Sequence, residues 1–301
     1  MSLVRLDTPA EAQAWCAARR AEGRTLGFVA TMGFLHEGHL TLVRRALAEN
    51  DLCAVSVFVN PLQFGEAADL DNYPRDLERD AELLEGAGAQ LLFTGTLAEF
   101  FPDELAADGS FPPEHLVDPG PGAVGMEGEF RGGHFDGVAT IVDRLFDVTT
   151  PTRAYFGQKD LQQTLVVSHL AAARGGPEVV ACAISREPSG LARSSRNARL
   201  SEAEREQATC LSRGLARASS LWQRGERDPA RLEAALAAEL RSAGIEPEYA
   251  AVRDLAAWSP EPPSAPLAKP VALVAARVGP VRLIDNHVLD EPAPGSEPAG
   301  A

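Results

Sequence analysis

The sequence predicts an α/β protein: a doubly wound parallel sheet followed by a smaller α+β domain. Three observations carry this reading. Short apolar runs alternate with longer amphipathic stretches through residues 1–185, the pattern of repeated strand–helix units. One run, Leu52-Cys-Ala-Val-Ser-Val-Phe-Val59, is apolar on both faces, as a strand buried between two helical layers must be. After Ser185 the texture changes to Ala/Glu/Arg-rich helical stretches and then short β-rich runs.

Taken in order, Leu26–Thr31 reads as a strand, and a helix runs from near Glu37 to Asn50. The strand Leu52–Val59 follows. Pro74 to Gly88 reads as a helix, with proline near its first turn and Gly86 and Gly88 near its end. Gln90–Phe93 is a third strand. Phe101 to Gly133 is rich in Pro and Gly and reads as a long functional loop. A helix over Phe135–Val148, a strand over Arg153–Phe156, a helix over Leu161–Arg174 and a strand over Glu178–Ile184 complete the first domain, residues 1–185. In the second, residues 186–290, helices are predicted over Ser201–Gly225 and Asp228–Ala243. Strands are predicted over Tyr249–Arg253, Val271–Val278 and Val281–Ile284, with a Pro-rich loop over Ser259–Pro270. Residues 291–301 read as a disordered tail.

Composition bounds the function. The net charge of −15 disfavours a nucleic-acid partner, which needs phosphate-neutralising Lys and Arg. If the substrate is an anion, its site must be a local basic pocket set against that field. Cys16, Cys53, Cys182 and Cys210 are far apart and form no CxxC pair. Reduced thiols in a cytoplasmic protein are the expectation. No run of 18 apolar residues predicts a membrane helix, and Met1 to Gln13 lacks the apolar core of a secretory signal.

The sharpest motif is Thr31-Met-Gly-Phe-Leu-His-Glu-Gly-His39, directly after the first strand. Ligands of open parallel sheets bind outside the carboxyl ends of strands. His36 and His39 are three apart and share a helix face. Gly38 lets a phosphate approach the backbone, and the helix start offers N–H groups and about half a positive charge. Two imidazoles there can stabilise charge that grows as pyrophosphate departs. No third or fourth Cys, His or Asp stands at zinc-like spacing, and the pattern is not the GxGxxG dinucleotide fingerprint.

Three weaker clusters follow. Phe156-Gly-Gln-Lys-Asp160 ends another expected strand. Lys159 can reach phosphate as a point charge and Asp160 can orient it or take a ribose hydroxyl, although the segment alone reads equally as a helix cap. Gln162 and Gln163 come next; Gln163 can bond an uncharged hydroxyl. Ser194-Ser-Arg-Asn197, preceded by Arg186 and Arg193, sets hydroxyls beside guanidinium groups, as phosphate recognition requires, or is a solvated loop. Val59-Asn-Pro-Leu-Gln-Phe64 places Asn60 and Gln63 on an apolar background, as a small-molecule site does, or is a turn.

Together these stretches resemble the pantothenate synthetase (pantoate–β-alanine ligase) family. Leu70-Asp-Asn-Tyr-Pro-Arg75, His134-Phe-Asp-Gly-Val-Ala-Thr-Ile-Val142 and Arg282-Leu-Ile-Asp-Asn286 join them in register, from about Gly27 to His287. The resemblance implies a cytoplasmic homodimer of a Rossmann-like nucleotidyltransferase domain of the HxGH type and a smaller C-terminal lid. It implies ATP with Mg2+, and a ligase that joins pantoate to β-alanine through pantoyl adenylate. It assigns His36, His39, Lys159, Ser194 and Arg196 to the phosphates, with catalysis resting on His36, His39, Lys159 and Arg196. Met32, Gly33, Gly38, Gly157 and Asp160 complete the ATP site. Met32, Asn60, Gln63, His134 and Gln163 are assigned to pantoate, and Tyr73, Glu127 and Arg131 to support of the closed site. No metal ligands are assigned.

The chain departs from the family pattern at three places. Ala30 stands where proline is usual, Gly132 where proline is frequent, and Ser189-Gly-Leu-Ala-Arg193 where Asp-Gly-Leu-Ala and then Met or Leu is typical. The first rival reading is therefore a ligase of the same family with another amine or acid. A cytidylyltransferase, which also uses HxGH, leaves Asn60, Gln63 and the Gln pair without a purpose.

Overall fold

The computed structural model describes residues 2–65, 67–263, 266–292 and 294. The predicted tail lies almost wholly outside them. The chain divides into two compact units: Met1–Ala123 with Glu127–Gly157 and Gln162–Cys182, and Val124–Met126 with Gln158–Leu161 and Ala183–Ala301.

The first unit contains β1 (Val4–Leu6), α1 (Pro9–Ala21), β2 (Leu26–Thr31), α2 (Glu37–Glu49), β3 (Leu52–Val57), α3 (Ala67–Asp71), α4 (Leu77–Ala87), β4 (Leu91–Phe93) and α5 (Leu97–Phe100). It continues with α6 (Glu127–Phe130), α7 (His134–Thr149), β5 (Arg153–Gly157), α8 (Leu161–Arg174, apart from its first residue) and β6 (Glu178–Cys182). The six strands form one parallel sheet in the order β1-β4-β3-β2-β5-β6. The period-2 alternation sorts side chains to two apolar layers. Phe28, Ala54, Phe93 and Phe156 face α1, α7 and α8, whereas Val29, Val55, Leu92 and Tyr155 face α2 and α4. The doubly wound reading therefore holds.

The strand order also locates the site. From β2 the chain moves to β3 and β4 on one side, then crosses to β5 on the other. The carboxyl ends of β2 and β5 thus flank the topological switch point, where ligands bind in open α/β sheets.

The second unit carries α9 (Glu202–Ala208), α10 (Cys210–Gln223) and α11 (Pro229–Ser242). An antiparallel sheet of β7 (Pro247–Asp254), β8 (Pro270–Val278) and β9 (Val281–Val288) completes it. Leu211, Leu215, Leu232 and Leu236 of the helices pack on Val252, Val274 and Leu283 of the sheet.

Several element boundaries differ from expectation. The first residues form β1 and α1, an element pair that a search for a leader peptide does not look for. The helix expected over Ser201–Gly225 is two helices, because the Thr209 hydroxyl donates back to the Glu206 carbonyl at 2.6 Å and competes with the helical ladder. β9 runs on to Val288. The long loop over Phe101–Gly133 contains α6 and tight turns at Pro113–His115 and Pro121–Ala123.

Candidate active site

The turn from β2 into α2 is held by a residue that motif reading passes over. Gly33 (φ 83°) and Phe34 (φ 51°) both adopt left-handed backbone. A Cβ on Gly33 would sit 2.9 Å from Val57 Cγ1, so only glycine fits there. The fully buried Asp80 of α4 accepts the N–H groups of Phe34 and Leu35, each at 2.7 Å. Burial pushes its carboxyl above the ordinary value against the pull of those two bonds. Arg79 donates to the Leu35 carbonyl at 3.0 Å and lies over the Phe34 ring. Asp80 lies 46 residues from the turn in sequence, and no local spacing signals the link.

His36 and His39 cap α2 reciprocally. The Gly38 N–H donates to His36 Nδ1 at 3.1 Å, and the His36 N–H donates to His39 Nδ1 at 3.3 Å. The rings stack with centroids 4.1 Å apart. Because both Nδ1 atoms accept, each neutral imidazole carries its hydrogen on Nε2. The Gly38 N–H is engaged within the cap, and both Nε2–H groups stand at the positive end of a 13-residue helix.

A second cluster forms where β3 ends. Asn60 is 1% exposed; its Oδ1 accepts the Leu62 N–H at 3.2 Å. Its Nδ2 donates to Gln63 Oε1 at 3.2 Å and to the Gly137 carbonyl at 3.0 Å. Gln63 Nε2 donates to Met32 Sδ at 2.9 Å. His134 donates from Nδ1 to the Gln63 carbonyl at 2.9 Å, which leaves Nε2 to accept from Arg131 at 3.1 Å. Four of the residues expected at the pantoate site, Met32, Asn60, Gln63 and His134, therefore form one connected network with Arg131. Gly137 permits it: a Cβ there would lie 2.2 Å from the Leu62 carbonyl oxygen.

Gln162 and Gln163 separate in role. Gln162 is buried, accepting the Glu127 N–H at 2.8 Å and donating to the Gly122 carbonyl at 3.1 Å. Gln163 is half-buried and makes no side-chain hydrogen bond among the described residues. Glu127 is buried, and the buried Tyr73 meets the Phe64 ring edge-on. Gly157 closes β5 with no atom within 4 Å of where a Cβ would be.

In the second unit, Lys159 lies in a tight turn over Gln158–Asp160, its Nζ 3.7 Å from Asp160. Ser194 caps the turn Ser195–Arg199, its hydroxyl accepting the Arg196 N–H at 3.3 Å. Asn197 anchors that turn through Glu187 and the Ala192 carbonyl. Arg186 is bound to the buried Asp285 through two hydrogen bonds, at 2.6 and 2.9 Å, which tie it to β9. Arg193 donates its backbone N–H to the Ser185 carbonyl at 2.9 Å.

Comparison with known proteins bears on this geometry. A family profile described as Pantoate-beta-alanine ligase matches residues 5–288. The pantothenate synthetase of Roseiflexus castenholzii is 46% identical over 276 residues, covering 91% of this chain and 96% of the relative. That of Gluconobacter oxydans is 49% identical over 267 residues, covering 88% and 94%. Among solved structures, the pantothenate synthetase of Thermus thermophilus superposes with a TM-score of 0.83 at 41% identity, covering 96% of this chain and 99% of that one. The pantoate–β-alanine ligase of Francisella tularensis, complexed with β-γ ATP and β-alanine, gives 0.74 at 28% identity, covering 97% and 100%.

Proposed function

The chain belongs to the pantoate–β-alanine ligase family, and from that premise we propose that it condenses pantoate with β-alanine through an enzyme-bound pantoyl adenylate. It is an ATP-dependent ligase that forms a C–N bond. The observation that carries the adenylate reading is the reciprocal cap of His36 and His39. It fixes two Nε2–H donors at a helix N-terminus beside the switch point of the sheet.

A carboxylate is a poor acyl donor because oxide is a poor leaving group. In the proposed first step a pantoate carboxylate oxygen attacks the α-phosphorus of ATP. The bond from that phosphorus to the bridging oxygen breaks, and pyrophosphate leaves with the electron pair. Charge grows on the departing oxygens, where the Nε2–H groups of His36 and His39 and the cations Lys159 and Arg196 would stabilise it. A preorganised donor of this kind contributes about 3–4 kcal/mol to such a step. In the second step the β-alanine amine attacks the acyl carbon and loses a proton, and AMP departs with the C–O electron pair.

The network of Asn60, Gln63, Met32 and His134 supports a pantoate role. Its amides are already engaged, Asn60 with the Leu62 N–H and the Gly137 carbonyl and Gln63 with Asn60 and Met32, so orienting the acid costs little further ordering. Gln163, with its unengaged amide, is proposed for a pantoate hydroxyl. Gly33, Gly38, Gly157 and Asp160 are proposed to line the nucleotide, and Ser194 its phosphates. The proposed division of labour is an ATP- and pantoate-binding domain over 1–185 and a lid over 186–290.

Magnesium would arrive on the triphosphate. Among the described residues no group of three His, Cys, Asp or Glu side chains is arranged to hold a metal, and magnesium is commonly bound through substrate phosphates with one or two carboxylates. Its chemistry there would be to offset phosphate charge. A homodimer in the cytoplasm is part of the same proposal, on the family resemblance. Among the described residues no helix is long and apolar enough to cross a membrane.

The test is AMP and pyrophosphate release from ATP and magnesium with D-pantoate, with and without β-alanine. Sustained AMP release that needs both acid and amine supports the proposal. Sustained release with another acid or amine and none with this pair overturns it.

A further inference from the structure

We propose that Asn286 is a positioning residue for Lys159, fixing the backbone from which the lysine side chain projects. The inference rests on the proposed phosphate role of Lys159. Asn286 is 2% exposed. Its side-chain nitrogen donates to the Gln158 carbonyl at 2.9 Å and to the Lys159 carbonyl at 3.0 Å. Both amide hydrogens are thus committed to one turn. The reversed amide would set an oxygen against two carbonyl oxygens, so the orientation follows from chemistry.

The surroundings hold Asn286 rigidly. It pairs with Leu273 across β8 and β9, and Val288 pairs with Val271. Leu273, Val271 and Val288 form an apolar cluster with Leu161, the residue that starts α8 just after the turn. Asp285 before it is tied to Arg186. The strand therefore presents the amide from a fixed position, while the cluster pins the far end of the turn. A turn of three residues, Gln158–Asp160, closes few hydrogen bonds of its own, so the two bonds from Asn286 are a large part of what defines it. The Lys159 side chain is only 18% exposed, which narrows the directions it can take once its backbone is fixed. Lysine acts as a point charge on a flexible stem, and a misplacement near 1 Å is enough to cost about 100-fold in rate.

The test uses the full chain and a double-mutant cycle on AMP-forming turnover, with Asn286→Ala made in the wild type and in Lys159→Ala. The expected result in the wild type is a 10- to 100-fold loss of kcat with the KM for pantoate unchanged. In Lys159→Ala the same change is expected to cost less than 3-fold, since two residues acting as one unit are not additive. A merely structural role would give the same loss in both backgrounds, which overturns the proposal, as does unchanged turnover of Asn286→Ala. Asn286→Asp keeps the side-chain volume while replacing the donor nitrogen, and stands in if the alanine variant does not fold. Full turnover of Lys159→Ala alone would remove the phosphate role of that lysine and with it the reading this inference rests on. That outcome differs from an additive cycle, which would remove only the link to Asn286.

Discussion

Asp80 Oδ2 accepts the backbone N–H of Phe34 at 2.7 Å, which secures a non-glycine residue at φ 51°. Its other oxygen takes the next N–H, that of Leu35. A buried carboxylate on α4 thus sets the path of the chain two residues before His36. Left-handed backbone at a bulky residue persists only where its surroundings over-determine it, and Asp80 is the determinant here.

Asp80→Ala is therefore expected to leave two backbone donors without a partner and to lower stability by about 2–4 kcal/mol. It should also lower turnover beyond the unfolded fraction, because the His36 and His39 rings lose their fixed origin. Urea unfolding followed by turnover under folding conditions measures both effects.

The cap and the chemistry of His36 can be separated. Asparagine caps helices well and can accept the Gly38 N–H, but it has no counterpart of Nε2–H. His36→Asn is expected to keep thermal stability within about 1 kcal/mol of wild type while losing on the order of 100-fold in kcat. Comparable losses of stability and turnover would reassign His36 to structure.

How far these features are legible in the sequence depends on how local they are. His36 and His39, three residues apart after an apolar strand, announce their shared helix face, and the parallel sheet follows from runs such as Leu52–Val57. The Asn60–Gln63 pair stands out as polar on an apolar background. Its partner, the Gly137 carbonyl, lies 77 residues further on, and chain-distant backbone contacts leave no periodic trace. Asp80 and Asn286 escape for the same reason: each serves a turn elsewhere in the chain through hydrogen bonds that no spacing rule encodes. Arg186 groups by its neighbours in sequence with the arginine proposed for phosphate, and only its partner Asp285, 99 residues away, gives it a structural role.

Gly137→Ala tests whether the network around Asn60 is rigid. The added methyl would meet the Leu62 carbonyl and the Gln63 nitrogen at 2.2 and 2.7 Å, both backbone, so α7 must move away from the 61–63 turn. A destabilisation of about 1–3 kcal/mol is expected, with a KM for pantoate raised at least about 10-fold and that for ATP changed far less. Steady-state kinetics with each substrate varied in turn provide the check.

His287 supplies a pH dependence. Burial holds its imidazole below the ordinary value of about 6.5. Arg186 pushes it the same way, while Asp285 and a hydrogen bond with the Glu291 backbone pull it back up. The folded state then binds fewer protons than the unfolded chain. Its contribution to stability is fully present above about pH 6.5 and is lost as the pH falls through the folded value, at up to about 1.4 kcal/mol per pH unit. Urea titrations between pH 8 and 5 should show this fall, and His287→Gln should flatten it.

Pyrophosphate exchange tests the central claim most directly. With ATP, magnesium and D-pantoate present and β-alanine withheld, labelled pyrophosphate is predicted to enter ATP, and the exchange is predicted to stop when pantoate is left out. Exchange that requires β-alanine, or a reaction that releases ADP and phosphate instead, would contradict activation of the acid as its adenylate.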